Sequence, residues 1–277
     1  MAPSYHFISG LPRSGSTLLT ALLCQNPRYA ASLASPVVSM IEAIQPYTSG
    51  GEYSLFFNDA TRTNVFHGLF ESYYKDTLVK MPDNPVIFDS NRFWSGYASL
   101  AGHLFPSSRI ICCVRDIGWI IDSLERLLAK NPLQVSRIFA GGMAKNTVFG
   151  RAESLMSPEA GLIGTPYYKF SEAWFGDQAK RLIVVPYNNL VKEPKRTMQR
   201  LYAELGEPQF EHDFGNVEFD DVSEYDAFVG MPGLHAVRKK VEYAERVPGI
   251  PPEIFFKYAA AQFWDKPEMN ARGVKII

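Results

Sequence analysis

The sequence is short of several features that would settle its class at once. It holds three cysteines in 277 residues, Cys24, Cys112 and Cys113, two of them adjacent inside an apolar run. That spacing builds no disulfide framework, and buried thiols in a reducing compartment are expected. Neither sign of charge is in excess: 28 Lys and Arg stand against 29 Asp and Glu, a formal net charge of −1. No global field therefore favours nucleic acid or an anionic membrane, and any anion must be held by local groups. No apolar run approaches the length of a membrane span. The N-terminus enters the segment Tyr5 to Ser9 without the basic and apolar regions of a signal peptide. A cytoplasmic location is the expectation. Neither His-Glu-x-x-His nor paired Cys-x-x-Cys occurs, so no metal is expected.

What is present is core material and an alternation of strands with helices. Hydrophobic residues make up 46% of the chain and aromatics 13%, ample for a core. Four apolar runs, 5–9, 86–89, 109–114 and 181–187, are too short for helices and rich in β-branched or aromatic residues, as buried parallel strands are. Helical patterns fall at 17–25, 55–79, 97–105, 117–128 and 194–205, the last closed by Gly206. The alternation predicts an α/β fold, a P-loop-type parallel sheet of four to five strands flanked by helices on both faces. Residues 132–162, with Gly141-Gly142 and Ser157-Pro158, read as a lid. Residues 207–277 read as an irregular C-terminal extension of a single 1–277 domain.

The stretch from Gly10 to Leu19 is GLPRSGSTLL. A strand that runs through a glycine-rich turn into a helix aims several backbone N–H groups at one point, and the helix dipole adds positive potential there. A triphosphate-binding loop has a lysine where Ser16 stands. Arg13, inside the loop, instead offers a planar fork of donors suited to a single phosphate or sulfate group. Pro12, Arg13, Ser14, Gly15, Ser16 and Thr17 are the expected anion-binding residues.

This loop resembles the 5′-phosphosulfate loop of the sulfotransferases. The likeness is to the branch with the tyrosylprotein sulfotransferases and many bacterial members, where P-R-S-G-[ST]-T-L recurs. The segment RIICCVRDIGWIIDSLERL, 109–127, is similar to a second family pattern, a buried strand followed by an arginine and, eight residues on, a serine. Here these are Arg115 and Ser123. The segment VPYNNLVKEP, 185–194, is similar to a third, with Tyr187 at the strand end. The resemblance implies 3′-phosphoadenosine 5′-phosphosulfate (PAPS) as cofactor, with Arg115 and Ser123 on its 3′-phosphate and Tyr187 near adenosine. It also implies a basic C-terminal segment over the 3′-phosphate; Arg238 and Lys239, beside His235 and Lys240, fit that description. Two anion pockets at neighbouring strand tips would then hold the two ends of one nucleotide.

Sulfuryl transfer needs neutralisation of the leaving phosphate, stabilisation of charge on the moving group and often a base for the acceptor. Arg13 is the candidate for the first two. The family's glutamate beyond the first helix falls in SLASPVV, 32–38, which has no carboxylate, and its lysine after the second strand falls at or near Ser90. Asp89 is the best local substitute as base and Arg92 as cation, with Glu42 and His103 as alternatives. The same VIFD resembles the acidic strand end of P-loop kinases, which leaves open a phosphotransferase using ATP and Mg²⁺ through Asp89. A non-catalytic nucleotide-binding protein is also left open. The acceptor is expected to be a hydroxyl or amine on a small molecule, sugar, lipid or peptide.

Overall fold

Six parallel strands form one sheet, in the order β2-β3-β1-β4-β5-β6, in a computed structural model that describes residues 3–133, 136–139, 146–220 and 222–277. The strands are β1 (Ser4–Gly10), β2 (Tyr29–Ala31), β3 (Val86–Ser90), β4 (Ile110–Val114), β5 (Leu182–Pro186) and β6 (Lys275–Ile276). Four of them are the four expected runs. Their side chains alternate between two cores: Phe7, Ile87, Ile110, Cys112 and Val184 face one, and Ile8, Phe88, Ile111, Cys113 and Val185 the other. Burial on both faces is why these runs are apolar throughout. Cys112 and Cys113 are both free and enclosed, and burial pushes the Cys113 thiol up to about 12, so neither is a reactive thiolate at neutral pH.

The sheet is wider than the four to five strands expected. β2 and β6, three and two residues long, are too short to show a periodicity of their own. Each is an edge strand recruited by its neighbour, β2 by β3 and β6 by β5.

The helices are α1 (Ser16–Leu23), α2 (Val37–Ser49), α3 (Asp59–Val79), α4 (Ala98–Leu104), α5 (Ile117–Lys130), α6 (Val148–Leu155), α7 (Gly164–Phe175), α8 (Tyr187–Lys192), α9 (Pro194–Leu205), α10 (Ser223–Val229) and α11 (Pro252–Lys257). The helix expected over 55–79 starts later, at Asp59, because Asn58 Oδ1 accepts the Thr61 N–H at 2.8 Å and caps it there. Tyr187 opens α8 rather than ending β5. Of the expected lid, Gly141-Gly142 lie outside the described residues, and 148–155 is helix α6, held to α5 by Arg151 Nε donating to Glu125 Oε1 at 2.8 Å. The C-terminal extension contains short helices and returns to the sheet as β6.

β1 sits between β3 and β4. The chain leaves it first towards β2 and β3, then crosses to build β4, β5 and β6 on the other side. The turn after β1 and the turn after β4 therefore part across a crevice at the carboxyl edge, the place where open α/β sheets bind ligands.

Candidate active site

The turn after β1 is set by its backbone. Gly10 has φ 107, and a Cβ there would lie 2.2 Å from the Cys113 carbonyl oxygen of β4. Leu11 N–H donates to that same oxygen at 2.8 Å, so β1 and β4 meet too closely for any side chain. Arg13 has φ 56, one of two non-glycine residues in the left-handed region among those described. Such strain is held where the fold over-determines it, commonly at ligand sites. Gly15, φ 89, precedes α1, and no side chain among the described residues caps that helix. The first N–H groups of α1 therefore remain available to an anion. Ser14 is fully buried and its hydroxyl donates to Pro12 O at 3.2 Å. Its side chain shapes the turn; only its backbone can serve a ligand. Ser16 and Thr17, half-buried in the first turn of α1, face outward.

Two motifs far apart in sequence touch across the crevice. Arg13 Nε donates to Ser123 Oγ of α5 at 3.1 Å, and Arg115 Nη1 donates to Arg13 O at 3.3 Å. The Arg115 guanidinium also stacks on Tyr187, 4.2 Å from the ring centroid. The two places expected to hold anions thus adjoin each other. Burial lowers the Arg13 pKa to about 10, and the charges of Arg115 and Arg246 push in the same direction, against Tyr187 and Asp226. Arg115 is lowered by burial too, with Arg246 again opposing its charge. Both remain cations at neutral pH. Two partly desolvated guanidinium groups, Arg13 and Arg115, therefore lie together, with the charge of the exposed Arg246 acting on both.

Beside them lies a cavity of about 290 Å³ at the carboxyl ends of β4 and β5, lined by Arg115, Trp119, Tyr187, Arg238, Tyr243 and Arg246 among others. Its outer wall comes from the extension. That wall is pinned to α5 by Gly249 N–H donating to Asp122 Oδ1 at 2.6 Å and Arg126 Nη2 donating to Val247 O at 2.6 Å. Arg238 lines the cavity as expected of the basic segment. Lys239 does not: it is exposed, and its carbonyl accepts from Val217 N–H at 2.6 Å. Neighbouring side chains in a non-helical segment leave the backbone on different sides.

Asp89 does not meet the expectation of a base. It has no exposed surface. Its oxygens accept from Ser35 Oγ at 2.6 Å, Tyr74 Oη at 2.7 Å and Trp94 Nε1 at 2.6 Å. Desolvation raises its pKa while the three donors pull it down. The carboxyl group ties β3 to the start of α2, to α3 and to the turn at Trp94, and it presents nothing to an acceptor or to Mg²⁺. The alternatives fare no better. Glu42 is exposed on α2 and accepts from Tyr97 Oη at 2.6 Å. His103 sits at the far end of α4, towards the amino edge of β4, against Thr63 Oγ1 at 3.1 Å. Ser90, near the family lysine's place, is buried at the end of β3.

Arg92 follows the end of β3, beside β1. Its carbonyl accepts from Ser9 Oγ of β1 at 2.9 Å, and burial lowers its pKa. Near it stands a pair that sequence reasoning missed as a pair. His235 Nδ1 lies 2.6 Å from Asp226 Oδ1, and the His235 backbone N–H donates to Asp226 Oδ2 at 3.0 Å. Asp226 is buried. Burial lowers the His235 pKa, Asp226 opposes that, and the charges of Arg13 and Arg92 lower it further. Lys169 of α7 is a cation not foreseen; its Nζ lies 4.8 Å from the Tyr97 ring centroid and 5.4 Å from that of Phe93.

Residues 6–212 match the sulfotransferase family. Among solved structures, the chain is similar to the sulfotransferase domain from the curacin biosynthetic pathway, at 14% identity and TM-score 0.51, over 94% of this chain and 92% of that one. It is also similar to a sulfotransferase from Alicyclobacillus acidocaldarius, at 14% identity and TM-score 0.50, over 83% of this chain and 92% of that one. At such identities the likeness is one of fold. The family match stops short of Asp226, His235, Arg238 and Arg246.

Proposed function

Because this chain belongs to the sulfotransferase family and so moves a sulfuryl group onto an acceptor, we propose that its donor is PAPS and that the crevice between β1 and β4 holds it. When bound, PAPS supplies a sulfuryl group already activated on a phosphate. The observation that carries the proposal is the contact of Arg13 with Ser123 and of Arg115 with Arg13. One ribose bears both phosphates of this nucleotide, so groups serving the two phosphates must be neighbours, as these are. Arg115 and Ser123 bind the 3′-phosphate, with Arg238 and Arg246 closing over it from the extension. Arg13 and the uncapped N–H groups of α1, with Ser16 and Thr17, hold the 5′-phosphate side and take up the charge that gathers on the leaving oxygen. Tyr187, under the Arg115 guanidinium, borders the base in the aromatic cavity. The acceptor, a hydroxyl or amine, approaches over the carboxyl end of β3, past Arg92 and Phe93.

The test is calorimetry in EDTA with 3′-phosphoadenosine 5′-phosphate (PAP) against AMP. Wild type should prefer PAP, and Arg115→Ala should lose most of that preference, at least about tenfold for a lost charge-assisted contact. Equal affinity for PAP and AMP in the wild type would overturn the donor assignment.

A further inference from the structure

The proton of the acceptor has no recipient in the residues that the loop and the sheet supply, since Asp89 is closed off and 32–38 has no carboxylate. We propose that the C-terminal extension supplies it: His235 is the catalytic base, and Asp226 is the positioning residue that holds its ring.

The geometry has three parts. First, α10 ends in a left-handed Gly230, φ 72. Gly230 N–H donates to Ala227 O at 3.0 Å and Met231 N–H to Asp226 O at 2.9 Å, the paired bonds of a Schellman stop. This reverses the chain so that His235, nine residues on, comes back against the side chain of Asp226. Second, the carboxylate fixes the tautomer. With Asp226 Oδ1 at 2.6 Å, Nδ1 carries the hydrogen, which leaves the Nε2 lone pair free. Among the described residues no hydrogen bond reaches Nε2, and the ring is 16% exposed. Third, the ring lies within electrostatic reach of the loop after β1 and of the turn after β3. The charged or titratable groups around it are Asp226 and Tyr225 of α10, Arg13 of the loop after β1, and Arg92 after β3. Burial lowers the His235 pKa, Asp226 opposes this, and the charges of Arg13 and Arg92 add to the lowering, which favours the neutral ring that a base needs. Binding of an anion on Arg13 offsets that repulsion and strengthens the base when the donor is in place.

The step balances without a further reactant. The acceptor X–H gives its proton to Nε2 as the X–S bond forms. The S–O bond to the 5′-phosphate breaks and its electron pair stays on that phosphate beside Arg13. The imidazolium then releases the proton to solvent. This assignment rests on the PAPS proposal for the donor, but its test has a reading of its own.

In protein labelled with ¹⁵N at histidine, long-range proton–nitrogen correlation, assigned against His235→Gln, should show His235 as the Nδ1–H tautomer at neutral pH. Its pKa should rise when PAP saturates the site. A ring protonated on Nε2, or one that PAP leaves untouched, would overturn the assignment. In single-turnover release of PAP from PAPS, with water and 2-naphthol as probes, His235→Gln should be at least about 100-fold slower. Its PAP affinity should stay within about threefold. Asp226→Asn should shift the pH profile of the same step. Wild-type rate and profile in His235→Gln would remove the base. Absence of PAP binding to wild type would instead remove the donor proposal, with the tautomer still deciding whether the ring is poised to accept a proton.

Discussion

Asp89 and His235 are acid–base groups of opposite circumstance. Both oxygens of Asp89 accept from donors outside β3, three in all, so the carboxyl group stabilises the fold. His235 has one nitrogen anchored and the other open. A third such group, His6 on β1, shows what enclosure does to stability. It is buried with Nδ1 accepting from Arg109 N–H at 3.0 Å, and desolvation with the nearby Arg109 charge lowers its pKa from 6.5 to about 4. The unfolded chain binds this proton first as pH falls, so the stabilisation is whole above pH 6.5 and is lost on the way down to about pH 4. The loss amounts to about 3 kcal/mol. His212 is lowered in the same way. Urea unfolding between pH 7 and 4 should therefore show a steep decline, shallower in His6→Asn, whose amide oxygen can keep the Arg109 contact.

At the scale of elements, the chain between Gly206 and β6 works through turns rather than periodic faces. Gly230 is the clearest case. An alanine at φ 72 costs about 1 kcal/mol, and it loosens the reversal that brings residues 226 and 235 together. Gly230→Ala should lower sulfuryl transfer more than it lowers PAP affinity, a split visible by comparing single-turnover rates with calorimetry. The same contrast explains what could be read without coordinates. β1, β3, β4 and β5 are buried on both faces and announce themselves as apolar runs, and GLPRSGSTLL is a motif contained in one turn. Arg115 and Ser123 were legible because a strand and the helix after it fix their relation. β2 and β6 exist only through their neighbours. The Asp226–His235 pair depends on a helix stop and a nine-residue return, which leave no period, so His235 read as one more member of a basic cluster. Asp89 read as catalytic because a strand end says nothing of the three donors, Ser35, Tyr74 and Trp94, that fold against it.

Across the whole molecule, the residues proposed to bind the donor come from two sources. The loop after β1 and the segment after β4 lie within the family match, whereas Arg238 and Arg246 lie in the extension beyond it. The extension is laid over the cavity and fastened to α5 by Asp122 and Arg126, themselves joined at 2.7 Å. Arg126→Ala removes the bond to Val247 O while leaving the loop after β1 intact. Hydrogen exchange should then show faster labelling across 238–249, and PAP should dissociate faster, seen as a higher koff in stopped flow. An unchanged koff would mean that the wall does not hold the nucleotide.

If the donor lies beneath the extension as proposed, its product would depart when the strap over it lifts. The first round of chemistry would then outrun the rounds that follow, giving a rapid burst of one equivalent of sulfated acceptor before a slower steady pace set by opening. The fastening of residues 247 and 249 to α5, some way from the reacting atoms, would act as the clock of the cycle.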